Sequence, residues 1–150
     1  MNHPTHKATL NELDELSILF DEYRQFYKKE TDVVAAKVFL KERMERNESE
    51  IFYTKNDAGE MTGFIQLYPL FSSVRMKRKW LLNDLYVRES FRGKGYSLAL
   101  IERAKQFAKE TGTYALSLST EKTNAIGNRL YIKTGFVQSV DWNYYDYTVC

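Results

Sequence analysis

Apolar residues fall at helical spacing near the start of the chain, alternate or run together through its middle, and return to helical spacing twice. Leu13, Leu16, Leu19, Phe20 and Tyr23 lie on one face of a helix that Asn11 can cap. Thr31 or Asp32 can cap a second helix, whose inner face is marked by Val34, Phe39, Leu40 and Met44. Ile51 to Thr54 reads as a short strand, Asn56 to Glu60 as a turn, and Phe64 to Tyr68 as the hairpin partner. Pro69 is expected to end or kink that strand, because it has no N–H to give to a ladder. A longer, more apolar strand follows from Lys79 to Val87.

Leu100, Ile101, Ala104, Phe107 and Ala108 then make one stripe on a helix from Tyr96 to Glu110, with Gly112 as its C-terminal stop. Tyr114, Leu116 and Leu118 alternate with small residues, which predicts a strand. A shorter helix is expected from Ala125 to Thr134, ended by Gly135, and the Tyr- and Val-rich tail from Val140 to Val149 reads as a closing strand. No repeat or linker breaks this order. The mixture is α/β, with a strand–loop–helix–strand unit near the middle.

Composition narrows the picture. The chain has 150 residues, 43% of them apolar and 15% aromatic, which predicts a single domain with a real core and excludes wholesale disorder. Lys and Arg number 22 against 20 Asp and Glu, a net charge of +2, so no nucleic-acid partner is expected. The short basic cluster Arg75, Lys77, Arg78 and Lys79 reads as a solvated loop, or as a guide for an anionic ligand. Mean hydropathy is −0.52. No apolar run reaches the ~18 residues that a membrane span requires. The first residues, MNHPTHKATL, lack the apolar stretch of a signal peptide. The sole cysteine, Cys150, excludes an intrachain disulfide framework. His3 and His6 have no ligand cluster around them, so no metal is expected, and they lie in what reads as a loose N-terminal start. The localisation these features predict is cytoplasmic, with no membrane partner.

Candidate chemistry begins at Arg92-Gly93-Lys94-Gly95, between the long strand and the helix. Glycines there let backbone come close to a ligand, and the first-turn N–H groups of the helix favour an anion. Arg92 and Lys94 add positive charge at the same place, so a phosphate or pyrophosphate is the natural guest. A dinucleotide fingerprint is excluded because Leu98 occupies its third glycine position, and no P-loop string occurs.

Leu82-Asn83-Asp84-Leu85-Tyr86-Val87 followed by Arg92-Gly93-Lys94-Gly95-Tyr96-Ser97 resembles the acetyl-CoA motif of the GNAT superfamily of N-acetyltransferases. Ser97 stands where the family has a small Gly or Ala. Asn124-Ala125-Ile126-Gly127-Asn128-Arg129-Leu130-Tyr131, then Gly135-Phe136, resembles a second family segment, with Gly127 in an Ala position. The resemblance implies a mixed, mostly antiparallel twisted sheet with helices on both faces and splayed central strands. It also implies that acetyl-CoA is the co-substrate. The amides of Arg92, Gly93, Lys94, Gly95, Tyr96 and Ser97 would hold its pyrophosphate, and the backbone of Leu85, Tyr86 and Val87 would pair with its pantetheine arm. Asn124 and Gly127 would lie on the adenine–pantetheine side, and Tyr131 would donate a proton to the departing sulfur. Homodimers are frequent in the family, and the aromatic tail from Trp142 to Tyr147 suits an apolar interface, an exchanged strand or the monomer's own core.

Acyl transfer from a thioester needs a neutral amine, yet alkyl ammonium groups titrate near ~10.4, so a base or a desolvating pocket is required. A thioester is already activated, so no enzyme nucleophile is needed and Cys150 has no required part. Some relatives carry a Glu at the position of Asn83, which cannot itself accept a proton. Asp84 is expected to point away from Asn83, since successive strand residues face opposite sides. Asp21 and Glu22 are candidates for a water relay, or belong to a solvated helix face. Glu22, Tyr23, Phe26 and Tyr27 combine a carboxylate with aromatic rings, which suits a cationic amine through charge and cation–π contact, or else buries the helix in the core. The function expected is acetyl-CoA-dependent N-acetylation of a primary amine on a small molecule, polyamine or amino-acid-like, by direct attack in a ternary complex. Alternatives are a protein or histone lysine acceptor, and a non-catalytic acyl-CoA-binding module.

Overall fold

The computed structural model describes residues 3–150. Contacts divide the chain into two compact units, one ending at Ser119 and the other running Thr120–Cys150.

The first unit is built on a five-stranded sheet in the order β1-β2-β3-β4-β5. Its strands are β1 (Thr5–Lys7), β2 (Glu50–Lys55), β3 (Met61–Ser72), β4 (Lys77–Val87) and β5 (Leu116–Ser117). The first four pair antiparallel, and β4 pairs with β5 in parallel. Helices α1 (Leu13–Phe26) and α2 (Val33–Glu45) precede β2, and α3 (Tyr96–Glu110) joins β4 to β5.

Strand alternation sends neighbouring aromatics to opposite faces. Tyr53 of β2 joins Phe64 of β3 in a cluster with Leu13, Leu16, Leu19 and Phe20 of α1 and Leu40 of α2. Phe52 faces the other way, onto Phe107 of α3 at a ring distance of 5.2 Å, where Trp80 of β4 also meets Phe107 at 5.1 Å. One face of the sheet therefore carries α1 and α2, and the other carries α3. Each fully buried Leu, Ile or Phe contributes about 1.5–3 kcal/mol of transfer free energy, so these two apolar layers fix the sheet between its helices.

Several local expectations are corrected. The N-terminal start is ordered: β1 pairs with β2, and His6 sits opposite Tyr53. Three residues are too few to show a period. Thr9, not Asn11, begins the first helical segment. Its hydroxyl accepts from Asn11 N–H, and Glu12 accepts from Thr9 N–H at 2.7 Å, a capping box over the short helix Leu10–Glu12 that leads into α1. Pro69 does not end its strand, since β3 continues to Ser72 with Pro69 opposite Trp80. Trp80 N–H points the other way, to Ala115 O, so this is a pair that exchanges no hydrogen bonds and Pro69's nitrogen faces the β2 side. β2 stops pairing at Glu50, opposite Leu67, so no ladder bond is lost there. The basic cluster lies at the β3–β4 hairpin, where Arg75 stacks over Tyr114 and Arg78 over Phe71 and Trp80.

The second unit contains α4 (Ala125–Lys133) and an irregular tail. The closing strand expected from Val140 to Val149 is absent, and Trp142, Tyr144, Tyr145, Tyr147 and Val149 are exposed. High strand propensity in a tail is a statement about burial between neighbours, and without pairing it yields no strand. No helix among the described residues is long and apolar enough to cross a membrane.

Candidate active site

The glycine loop supplies a helix start that no side chain caps. Gly93 and Gly95 have φ of 75° and 91°, left-handed conformations that glycine adopts at little cost, and Gly95 is the N-cap of α3 without a side-chain cap bond. The first-turn N–H groups that follow have no intrahelical acceptor, and the helix dipole makes this end positive. Arg92 anchors the loop to the preceding strand, its Nε donating to Val87 O at 2.9 Å. Lys94 stands beside the Phe91 ring. His3 Nε2 donates to Lys94 O at 2.6 Å, and its ring stacks on Tyr96 at 3.9 Å. The N-terminal segment thus braces the loop.

Beside this loop, β4 exposes a backbone edge. β5 meets β4 only at Trp80–Leu116 and Leu81–Ser117. From Leu82 to Val87, no strand of this sheet pairs with the outer edge of β4, while its inner edge stays paired with β3 as far as Gly63–Val87. Gly63 permits that last pairing, since a Cβ there would lie 2.7 Å from Tyr86 O. The outer edge of β4 beside Leu85, Tyr86 and Val87 is therefore unpaired by any strand of this sheet directly before the glycine loop, with Val87 O taken by Arg92 and Tyr86 O turned toward Gly63.

The register between β3 and β4 slips between Gln66 and Leu67. Gln66 pairs with Asp84 but Leu67 pairs with Leu82, leaving Asn83 as an extra residue. The slip reverses the facing of everything after it. Before it, Trp80 faces α3; after it, Tyr86 faces Tyr23 of α1, at a ring distance of 6.0 Å. Asn83 and Asp84 consequently both line a cavity of about 580 Å³ on the α1–α2 side. The expectation that Asp84 points away from Asn83 fails for this reason: strict alternation does not survive a bulge.

This cavity is walled by Phe20, Tyr23, Tyr27, Phe39 and Tyr68, with Asp84 and Asn83 at the strand and Arg24 and Lys29 contributed from α1 and the turn after it. Asp84 is only 4% exposed. Its Oδ2 accepts from Gln66 Nε2 at 2.6 Å and its Oδ1 from Asn83 Nδ2 at 3.1 Å, while the Tyr23 hydroxyl adds a weaker interaction. Burial pushes its carboxyl above the usual carboxylate range, and the hydrogen bonds offset this only in part. Burial together with Asp84 also pushes the Tyr23 and Tyr68 hydroxyls well up, so both are neutral donors at physiological pH.

The candidate acceptor residues separate into two groups. Tyr23, Tyr27 and Asn83 line the cavity. Glu22 instead pairs with Arg88 at 2.9 Å and accepts from Tyr86 Oη at 3.3 Å, and Phe26 is 60% exposed beneath the Arg92 guanidinium. Asp21 is buried and serves the backbone, accepting from Thr31 Oγ1, Asp32 N–H and Gln25 Nε2. Burial alone would raise its carboxyl, but these bonds, helped by Arg24, hold it below the usual value. The sequence reading missed Asp84, Tyr68, Arg24 and Lys29. One signal was present for Asp84: the doublets Leu81-Leu82 and Leu85-Tyr86 around Asn83-Asp84 break the two-residue period of a strand.

In the second unit, Asn124 caps α4. Its Oδ1 accepts from Gly127 N–H at 3.0 Å and its Nδ2 donates to Thr120 Oγ1 at 2.9 Å. Gly127 fits beneath this folded-back amide, which a Cβ there would clash with. Tyr131 lies on α4 with its ring edge-on to Phe136 at 5.8 Å. No group of three or more His, Cys, Asp or Glu that could hold a metal occurs among the described residues.

Comparison with known proteins identifies the family. The model of the acetyltransferase (GNAT) family matches residues 14–136. The chain is 39% identical over 139 residues to the uncharacterised N-acetyltransferase YhfO of Bacillus subtilis (strain 168), covering 93% of each. It is 34% identical over 105 residues to a probable acetyltransferase of Haemophilus influenzae, covering 70% of this chain and 72% of that one. Among solved structures, a crystal structure of a probable acetyltransferase superposes with a TM-score of 0.94 at 36% identity, covering 98% of both chains. The family model and these relatives show where the chain belongs: it is a GNAT-family N-acetyltransferase.

Proposed function

We propose that the chain acts as one acetyltransferase domain that moves the acetyl group of acetyl-CoA to the primary amine of a small molecule, by direct attack in a ternary complex. The uncapped amides from Arg92 to Ser97 hold the pyrophosphate, and the free β4 edge at Leu85, Tyr86 and Val87 pairs with the pantetheine arm. The amine seats at the bulge, against Asn83 and Asp84. A carboxyl held above its ordinary range is suited to take a proton from the ammonium, directly or through one water. The neutral amine then attacks the thioester carbonyl carbon, the C–S bond breaks, the new amide nitrogen releases its extra proton to solvent, and a donor returns a proton to the thiolate. Tyr131 is the residue we assign to that last step, on the resemblance of its segment to the family motif.

The observation that carries this reading is the bulge at Asn83. It places a buried carboxylate in an aromatic cavity on the same strand whose backbone edge stands open. Carboxylate, cavity and edge on one strand suit an amine beside a thioester, whereas a module that only binds acyl-CoA has no use for Asp84.

The test is thiol release from acetyl-CoA against polyamines, free amino acids, aminoglycosides and a histone-tail peptide, with Asp84→Asn run in parallel. Amine-dependent release by small molecules that Asp84→Asn abolishes is the expected result. Release only with the peptide would move the acceptor to protein lysine. Acetyl-CoA binding with no release by any amine would favour the binding module.

A further inference from the structure

We infer that the cavity selects an acceptor carrying a carboxylate at the end opposite its amine, so that an amino-carboxylate is preferred to a polyamine. This rests on the reading above that the amine seats at Asp84.

The inference comes from how α1 ends. Lys29 N–H bonds to Arg24 O at 3.0 Å and Lys28 N–H to Gln25 O at 2.8 Å, with Lys28 at φ 62°. That is the Schellman arrangement, which brings the side chains of its third-from-last helical residue and its second following residue together. In many such turns these two positions hold apolar residues that touch. Here they are Arg24 and Lys29, two cations, and both line the cavity. Like charges on one cavity repel, and neither forms an ion pair among the described residues. Asp21 feels the Arg24 charge, but its oxygens are already taken by Thr31, Asp32 and Gln25.

The cavity is therefore bipolar. One acid, Asp84, lies buried at the strand. Two cations stand at the end of α1, and most of the remaining lining is aromatic: Phe20, Tyr23, Tyr27, Phe39 and Tyr68. A polyamine places its second ammonium against Arg24 and Lys29, an arrangement in which every added positive charge costs binding. A carboxylate at the same place accepts the planar guanidinium fork and the Lys29 ammonium together. The aromatic walls ask for an apolar spacer between the two ends.

Three probes of one shape separate the possibilities: 4-(aminomethyl)benzoate, 4-(aminomethyl)benzamide and 1,4-bis(aminomethyl)benzene. Each offers the same amine and ring, with an anionic, neutral or cationic far end. Affinity is measured by calorimetry on the full chain with CoA present, and thiol release from acetyl-CoA is followed separately. The carboxylate should bind about tenfold tighter than the carboxamide, and the diamine should be weakest. Replacing both cations as Arg24→Gln with Lys29→Gln should erase the gap, and Arg24→Glu with Lys29→Glu should reverse the order. Far-UV circular dichroism checks that each variant is folded, and the Gln pair decides if the Glu pair is not. Equal affinities, a diamine that binds first, or no binding by any probe would overturn the inference. Tight carboxylate binding without thiol release would leave it standing and overturn the transferase reading instead.

Discussion

Asn83 and Asp84 are consecutive residues of β4, yet both line one cavity, and Asn83 donates to Asp84 Oδ1 at 3.1 Å. The extra residue at Asn83 turns Asp84 from the α3 face to the α1 face and leaves a carboxylate buried among aromatic rings. Substituting Asp84→Asn keeps the shape and the acceptor for Gln66 Nε2 but removes the base. The turnover number should fall by about 10²-fold or more, the usual scale for losing a general base. Acetyl-CoA affinity should be unchanged, and a variant that keeps wild-type turnover would remove Asp84 from the chemistry.

The same raised carboxyl predicts an opposite effect on stability. A folded value above the unfolded one means the native state holds the proton more tightly than the unfolded chain does. The resulting penalty is absent below the unfolded value of ~3.9, and it grows as pH rises through the folded value. Asp84→Asn should therefore melt at the same or a higher temperature than wild type at pH 7, with the advantage vanishing near pH 4. Thermal melts across pH 4–8 check this, and a variant less stable at pH 7 would contradict it.

Gly95 combines a left-handed backbone with a place in the loop proposed to hold the pyrophosphate. At φ 91° a Cβ is strained, at a cost of about 1–2 kcal/mol, and the strain falls on the N–H groups that open α3. Gly95→Ala should weaken acetyl-CoA binding several-fold by calorimetry, with a far smaller effect on acceptor affinity. Loss of both affinities together would indicate a general folding defect.

Helices α1 and α3 and the central strands were readable because their apolar residues repeat over four or more positions, whereas on α2 the expected inner-face residue Val34 is exposed and Ala36 is buried with Leu40 instead. The Leu100, Ile101, Ala104, Phe107 and Ala108 stripe is buried on α3 as its spacing implies. What was not readable depended on single residues whose meaning is set by partners far along the chain. The doublets around Asn83-Asp84 mark a break in the period, but they do not say that Asp84 sits opposite Gln66. Pro69 looked like a terminator because its neighbours do not reveal that β2 has already stopped pairing at Glu50. Arg24 and Lys29 drew no reading from the sequence, because only the turn geometry puts both on the cavity. The glycine loop was the opposite case, since Gly93 and Gly95 announce their positive φ in the sequence itself.

Asp21 tests whether the acceptor wall is held from behind. Its carboxylate joins α1 to the start of α2 through Thr31 Oγ1 at 2.6 Å and Asp32 N–H at 2.7 Å. Asp21→Ala strands those donors and should cost about 1–3 kcal/mol. Because the folded carboxyl sits below its unfolded value, this contribution is present above the unfolded value and is lost as pH falls through the folded one. Denaturant melts should show the wild-type advantage at pH 7 shrinking toward pH 3. A pH-independent difference would assign the loss to packing alone.

Tyr131 separates an enzyme from a module that only binds acyl-CoA. If its hydroxyl returns the proton to the departing thiolate, Tyr131→Phe removes one oxygen and leaves the ring against Phe136. Turnover should fall by about 10²-fold while acetyl-CoA affinity and melting temperature hold, because the hydroxyl matters only as the C–S bond breaks. An acyl-CoA carrying a better thiol leaving group supplies the decisive control. With a leaving group that needs no proton, Tyr131→Phe should recover most of the lost rate. Equal defects with both thioesters would make Tyr131 a packing residue and require another donor.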